Sequence, residues 1–271
     1  MTSHETPRQA DELDMDRIAR HVLTPRRTEP KPWPPGSTLI TLKADAPGAW
    51  PEGPEVEVVC HRWGEGPSVL LVHGWQAQAA DLLPLAETLV DAGFSVWAPD
   101  LPAHGHSTGS MLSIPLAARA LLEVWRQAGP LHAAVAHSYG GASLVHALTL
   151  GLKTSKVVLL APPTHYGLHV RQMAQAAGMD AALLPALLHR LEQLIGEAPD
   201  HIAMARQAAS LRQPALFLHA ADDPVVPIEA TMQVANAWPG ARWHRLEGLG
   251  HFRLLTDATV HALIVGELLA P

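Results

Sequence analysis

The stretch Ala136-His137-Ser138-Tyr139-Gly140-Gly141 decides the fold. Val135 precedes it, and the helix-like run Ala142-Ser143-Leu144-Val145-His146-Ala147-Leu148 follows. A strand that turns abruptly into a helix here pushes the Ser138 side chain out at a tight corner. Large residues two positions away would clash across such a corner, so its neighbours are small, as in a G-x-S-x-G nucleophile elbow. Ala136 departs from that pattern; its methyl narrows the turn's tolerance without forbidding it. Taken alone, a serine at this place also suits a helix N-cap. An elbow asks for more: an oxyanion loop upstream, then an acid and a histidine downstream.

Outward from this corner, strands and helices alternate. Thr38–Leu42 and Glu55–His61 alternate or run apolar and are expected as strands. Gly64-Glu65-Gly66-Pro67 has the composition of a hairpin-like turn, and an early strand pair joined by a short turn suggests an antiparallel start. Ser68–Val72, Phe94–Ala98, His132–Val135, Lys156–Leu160, Ala215–His219 and Ala241–Leu246 supply further strands. Helical segments are expected over Ala79–Ala92, stopped by Gly93, over Ile114–Gln127 and over Val260–Leu269. Repeated β-α units with continuous apolar strands predict an α/β fold, a mostly parallel sheet covered by helices on both faces.

Between Pro163 and Gln213 the alternation stops. Val170–Ala177, Pro185–Ile195 (ended by Gly196) and His201–Leu211 (capped by Asp200) all read as helix. A helical insertion over 163–213 is most simply a lid over the strand ends. Residues 1–36 form an N-terminal arm, polar and then proline-rich, and residues 37–271 form the body. Within the arm, Leu13, Met15, Ile18 and Val22 predict an amphipathic helix over Asp11–Val22.

Ligands of open α/β sheets bind beyond the carboxyl ends of the strands. His73-Gly74-Trp75-Gln76, Ser138, Asp222-Asp223 and His251 all follow predicted strands. The order serine, acid, histidine is the one this architecture requires. Five segments together resemble the α/β-hydrolase superfamily over about residues 55–271. They are Val72-His73-Gly74-Trp75, Pro99–Ser107, Ala136–Gly141, Asp223-Pro224-Val225-Val226-Pro227 and Gly250-His251-Phe252. The resemblance is to short-lidded bacterial hydrolases and esterases, and it does not name a substrate.

The resemblance implies a Ser138, Asp223, His251 triad, with Asp222 as the alternative acid. A serine hydroxyl needs an adjacent base, and an imidazole supplies one near neutrality. The acid fixes the imidazole tautomer and stabilises the imidazolium. Backbone N–H groups of Trp75 and Tyr139 are the expected oxyanion donors, with Gln76 as the substitute for Trp75. Trp75, Tyr139, Met173, Leu184 and Leu188 are candidate pocket residues; the lid residues among them also suit a helical core, as do Met179, Leu187 and Leu191.

Composition sets further bounds. The chain has 271 residues, enough for one large domain, with 48% apolar and 17% charged residues. A net charge of −7 argues against a nucleic-acid partner. No apolar run is long enough to span a membrane, and Met1–Arg8 lacks the apolar core of a signal peptide. Cys60 is the single cysteine, so no intrachain disulfide forms. A cytoplasmic location follows from these features as an expectation. Among 17 scattered histidines, His104-Gly105-His106 is a short pair with no third ligand at zinc spacing, so neither a metal nor a cofactor is expected. The expected reaction is hydrolysis of a carboxylic ester or related acyl bond of a small molecule. The alternatives are an acyltransferase using the same acyl-enzyme and a non-catalytic binding protein on the same fold.

Overall fold

Strands buried on both faces carry apolar residues at every position, because successive side chains point to opposite sides. The computed structural model shows this directly. It describes residues 7–271, with side chains from Met15 onward; Met1–Thr6 and the side chain of Leu13 lie outside the described residues. Among the described residues, eight strands form one sheet: β1 (Thr38–Asp45), β2 (Glu55–Trp63), β3 (Ser68–Val72), β4 (Ser95–Pro99), β5 (Leu131–His137), β6 (Thr154–Leu160), β7 (Ala215–Ala220) and β8 (Arg242–Leu246). Their order is β1-β2-β4-β3-β5-β6-β7-β8. Pairings β1–β2 and β2–β4 are antiparallel and the remainder parallel.

The Gly64–Pro67 segment corrects the hairpin reading. It joins β2 to β3, yet β4 lies between these strands. The antiparallel start is instead β1 against β2, in register from Thr38↔Arg62 to Asp45↔Glu55. Gly66 packs so closely on the turn before β4 that a Cβ there would stand 2.1 Å from the Gly93 carbonyl oxygen. That turn's glycines therefore serve close packing between loops, and no hairpin forms.

Leu70, Val72, Ala134, Ala136, Leu159 and Phe217 face one core, beneath α3 (Ile114–Ala128) and α4 (Tyr139–Thr149). Val69, Leu71, Val135, Leu160 and Leu218 face the other, beneath α2 (Leu83–Asp91) and α9 (Ala258–Leu269). Each such Leu, Val or Phe contributes about 1.5–3 kcal/mol by leaving water. Caps mark the helix starts: the Ser113 hydroxyl accepts from the Leu116 amide at α3, and Asp257 accepts from the Thr259 and Val260 amides at α9. The segment expected as one helix over Ala79–Ala92 splits into a 3₁₀ turn (Ala79–Leu82) and α2, with Pro84 in the first turn of α2.

Between β6 and β7 the chain forms α5 (Tyr166–Ala176), α6 (Leu184–Ile195) and α7 (Met204–Ala208). Gly196 ends α6 in the left-handed conformation. The last helix is shorter than the expected His201–Leu211, and Asp200 does not cap it. Its carboxylate instead pairs with the Arg171 guanidinium at 2.5 and 2.6 Å, which leaves Pro199–His201 as a separate 3₁₀ turn.

The first helix, α1 (Pro7–Leu23), buries Ala19 and Leu23, with Met15, Ile18 and Val22 packed against the same core. Asp16 on α1 accepts from Arg190 Nε on α6 at 2.9 Å. Residues 24–36 then run without regular structure along the loops after β3 and β4.

Candidate active site

The elbow sits where β5 ends and α4 begins. Ser138 has φ 50° and ψ −127°, a conformation rare for a non-glycine residue. It occupies the N-cap position of α4, yet its hydroxyl makes no cap bond. Ser138 Oγ lies 2.9 Å from His251 Nε2 instead. The corner is made by close approach: a Cβ on Gly140 would stand 2.3 Å from the His73 carbonyl oxygen and 2.9 Å from that of Val72. Ala136 fits because its methyl is buried among core residues of β5's inner face.

His251 lies in the loop after β8, and its Nδ1 is 2.7 Å from Asp223 Oδ2. Asp223 Oδ1 accepts from the Val225 and Val226 amides at 2.8 and 2.9 Å. Its Oδ2 also lies 3.2 Å from His219 Nε2. Three donors, the two amides and His251 Nδ1–H, thus bond one carboxylate, with the His219 ring beside it. Burial alone would raise the Asp223 pKa, but His219, His251 and the two amides hold it well below the usual carboxylate range. Asp222 turns away and accepts from the Gly250 amide at 3.2 Å, shaping the loop that carries His251.

Two further histidines were not singled out by sequence. His219 ends β7; its Nε2 donates to the Val226 carbonyl at 2.9 Å, and the Thr231 hydroxyl meets its Nδ1 at 2.7 Å. His137 Nε2 donates to the His251 carbonyl at 2.9 Å, with the rings 4.8 Å apart. Burial, reinforced by the charge of His251, lowers the His137 pKa to about 4, so it stays neutral beside the site. Their positions, next to Ser138 in one strand and four residues before Asp223 in another, were the available signals.

The loop after β3 distinguishes the candidate oxyanion donors. The Gln76 amide donates to His104 Nε2 at 3.0 Å and is occupied. His104 Nδ1 meets the Pro102 carbonyl at 2.9 Å, and burial, with His73 nearby, lowers its pKa to about 3, keeping it neutral as an acceptor. His73 Nε2 accepts from the Leu101 amide at 2.9 Å, tying this loop to the one after β4. Tyr139 is the first residue of α4, so its amide has no intrahelical acceptor. The rings of Trp75 and Tyr139 lie 5.2 Å apart.

The candidate pocket residues are spread out. Leu184 and Leu188, both on α6, pack half-buried against the larger core, as does Trp75 of the loop after β3. Met173 is half-buried on α5. A cavity beside Tyr139 is lined by Ile114, Tyr166, His169, Ile202 and Met204, not by Met173, Leu184 or Leu188. Its volume of about 10 Å³ is room for about one water. Phe252, 65% exposed, stands edge-on to His251 at 4.9 Å between ring centroids.

A serine, an imidazole and a carboxylate in one hydrogen-bonded line, at the carboxyl ends of a parallel sheet, match a known group of proteins. The sequence profile described as "Alpha/beta hydrolase family" matches residues 69–263.

The chain belongs to the alpha/beta hydrolase family.

Among curated relatives, a pimeloyl-[acyl-carrier protein] methyl ester esterase of Stenotrophomonas maltophilia (strain R551-3) is 32% identical over 98 residues. That match spans 36% of this chain and 37% of the relative. An esterase from Pyrococcus furiosus superposes with a TM-score of 0.67 at 16% identity, covering 91% of this chain and 98% of that one. A thermophilic esterase from Thermogutta terrifontis gives 0.62 at 18% identity, covering 83% and 96%. At these identities the structural neighbours show the shared fold. Among the described residues, no helix is long and apolar enough to cross a membrane.

Proposed function

We propose that this member of the alpha/beta hydrolase family is a serine esterase acting through a Ser138 acyl-enzyme. The observation that carries this reading is the line Ser138 Oγ, His251 Nε2, His251 Nδ1, Asp223 Oδ2, with spacings of 2.9 and 2.7 Å at its two hydrogen bonds. His251 takes the Ser138 proton as Oγ attacks the acyl carbon. It then returns that proton to the departing alkoxide. A water enters, gives its proton to His251 and attacks the acyl-enzyme, and the proton passes back to Ser138 as the acid leaves. Asp223 keeps His251 in the tautomer with Nδ1–H and Nε2 free to accept.

The Trp75 and Tyr139 amides hold the developing oxyanion, each donor being worth about 10²–10³ in rate. The bond from Gln76 to His104 supports Trp75 over Gln76 in this role. The helices α5 to α7 act as a lid. The cavity beside Tyr139 takes about one water, so an acyl chain seated there needs the lid to shift.

The name of the Stenotrophomonas relative makes methyl esters of carrier-bound acyl chains one class to screen beside a chain-length series of p-nitrophenyl esters. The decisive test is labelling by a fluorophosphonate probe. Wild type reacts and Ser138→Ala does not, while the variant keeps its circular dichroism. Persistent labelling of the variant overturns the assignment. Product analysis with competing alcohols and amines distinguishes hydrolysis from acyl transfer.

A further inference from the structure

A second cluster lies outside the Ser138 line. His61 on β2, Asp100 just after β4 and His106 in the same loop bring one ligand atom each within 4.8 Å of one another. Asp100 Oδ2 stands 3.7 Å from His61 Nε2 and 3.3 Å from His106 Nδ1. Among the described residues, His61 Nε2 is buried without a hydrogen-bond partner; its side chain is 3% exposed. A buried polar nitrogen left without a partner costs about 1–3 kcal/mol, so its retention calls for an explanation.

We propose that His61, Asp100 and His106 bind a divalent transition-metal ion, with zinc as the best match. Two imidazole nitrogens and one carboxylate oxygen are the ligand set that zinc takes at three positions while leaving a fourth open. Bonds of about 2.0–2.1 Å in a tetrahedral site place ligand atoms about 3.3 Å apart. The pairs at 3.3 and 3.7 Å are near that spacing already. The His106 side chain, 36% exposed, gives the open position access to water.

The surroundings favour a cation. Asp100 is held in place by backbone donors. Its Oδ1 accepts from the Ala79 amide and its Oδ2 from the His106 amide, both at 2.8 Å, and the second Oδ2 lone pair meets His106 Nδ1 at 3.3 Å, inside the cluster. Trp33 stacks on His61 with ring centroids 4.7 Å apart and planes 9° from parallel, fixing the imidazole outside the ligand set. His104, the other member of the sequence pair, is committed to Gln76 and Pro102 and takes no part. An ion here would cross-link β2 to the loop after β4.

The test is isothermal titration of tag-free, chelator-treated protein with Zn²⁺, repeated with Co²⁺ to read ligand geometry from visible absorption. Wild type is expected to bind one equivalent, with four-coordinate cobalt bands. His106→Ala, at a partly exposed position, should weaken binding by more than about tenfold. His61→Ala should do the same, while His251→Ala leaves binding unchanged. Absence of one-site binding in wild type overturns the proposal, as does equal affinity in a folded His106→Ala. Loss of the site in His251→Ala would place the ion at the serine centre and overturn it equally. None of these readouts depends on esterase activity.

Discussion

Replacing Asp223 by Asn tests the proposed triad more sharply than removing the carboxylate outright. The side chain keeps its shape but must turn an NH₂ group toward one of the two sides that donate to Asp223. If Asn Oδ1 stays with the Val225 and Val226 amides, the NH₂ faces His251 Nδ1–H. If the amide flips, the NH₂ faces the two backbone N–H groups instead. In the first arrangement His251 relieves the conflict by moving its proton to Nε2, where it can no longer accept from Ser138. In the second, two amides lose their acceptor. Loss of the correct tautomer in a Ser-His-Asp triad costs about 10⁴ in kcat, or about 5.4 kcal/mol at 1.36 kcal/mol per decade. Asp222→Asn removes a charge but keeps an oxygen for the Gly250 amide, and its effect should stay within about threefold, as for ordinary surface changes. The assay is kcat on one p-nitrophenyl ester for wild type and both variants, with denaturation curves to confirm folding. A folded Asp223→Asn within tenfold of wild type would refute the reasoning. So would an Asp222→Asn that loses as much as Asp223→Asn.

Gly140→Ala and Gly266→Ala are the same chemical change with opposite expected signs. At Gly140 the new methyl meets backbone oxygens of His73 and Val72, so overpacking of about 1–3 kcal/mol outweighs the gain of up to about 1 kcal/mol in helix propensity. Tm should fall by a few degrees and kcat with it, because Tyr139 begins the displaced helix. At Gly266 nothing lies within 4 Å, and alanine should stabilise α9 by up to about 1 kcal/mol; calorimetry on the pair reads both signs. Stability should also fall in two stages with acid. Burial lowers the pKa of His104 to about 3 and of His137 and His146 to about 4, below about 6.5 in the unfolded chain. The unfolded chain therefore binds more protons as pH drops below about 6.5, and stability declines. Asp100 and Asp223 are held below their unfolded values, so their contribution is present above about pH 4 and is lost as pH falls further. Urea midpoints at pH 7.5, 5.5 and 4.5 that do not change would contradict the first stage.

Much of the architecture is written in local patterns. Val157–Leu160 and Leu216–Leu218 are apolar without a break because each strand feeds two cores, and that is visible in one dimension. Ser138, Asp223 and His251 were legible because strand ends carry them in a fixed order, and the structure brings them together. What was not legible depends on the order of strands in space. The Gly64–Pro67 turn has hairpin composition, but only the sheet order shows that β4 separates the strands it joins. Asp200 has the residue type of a cap, but an arginine on another helix competes for it. His61 lies 39 positions from Asp100, and the two meet only because β2 pairs with β4 through Cys60↔Pro99. Trp75 was the expected donor and Gln76 its substitute; that the Gln76 amide is taken by His104, from the loop after a different strand, was not legible.

The proline-rich stretch after α1 sets where this protein can be cut and rejoined. Arg27 Nη2 donates to the Gly105 and Ser107 carbonyls at 2.9 and 2.6 Å. Gln78, two residues beyond Gln76 in the loop after β3, donates to Thr28 Oγ1 and the Glu29 carbonyl and accepts from the Lys31 amide. Trp33 covers His61. The residues before β1 are thus stitched to the two loops that shape the serine's surroundings. In recombination between homologues, the inherited block is then the strap together with both loops. A crossover placed at residue 37 divides that block, leaving Gln78, a buried amide, without its three partners. A crossover ahead of α1 keeps the block whole.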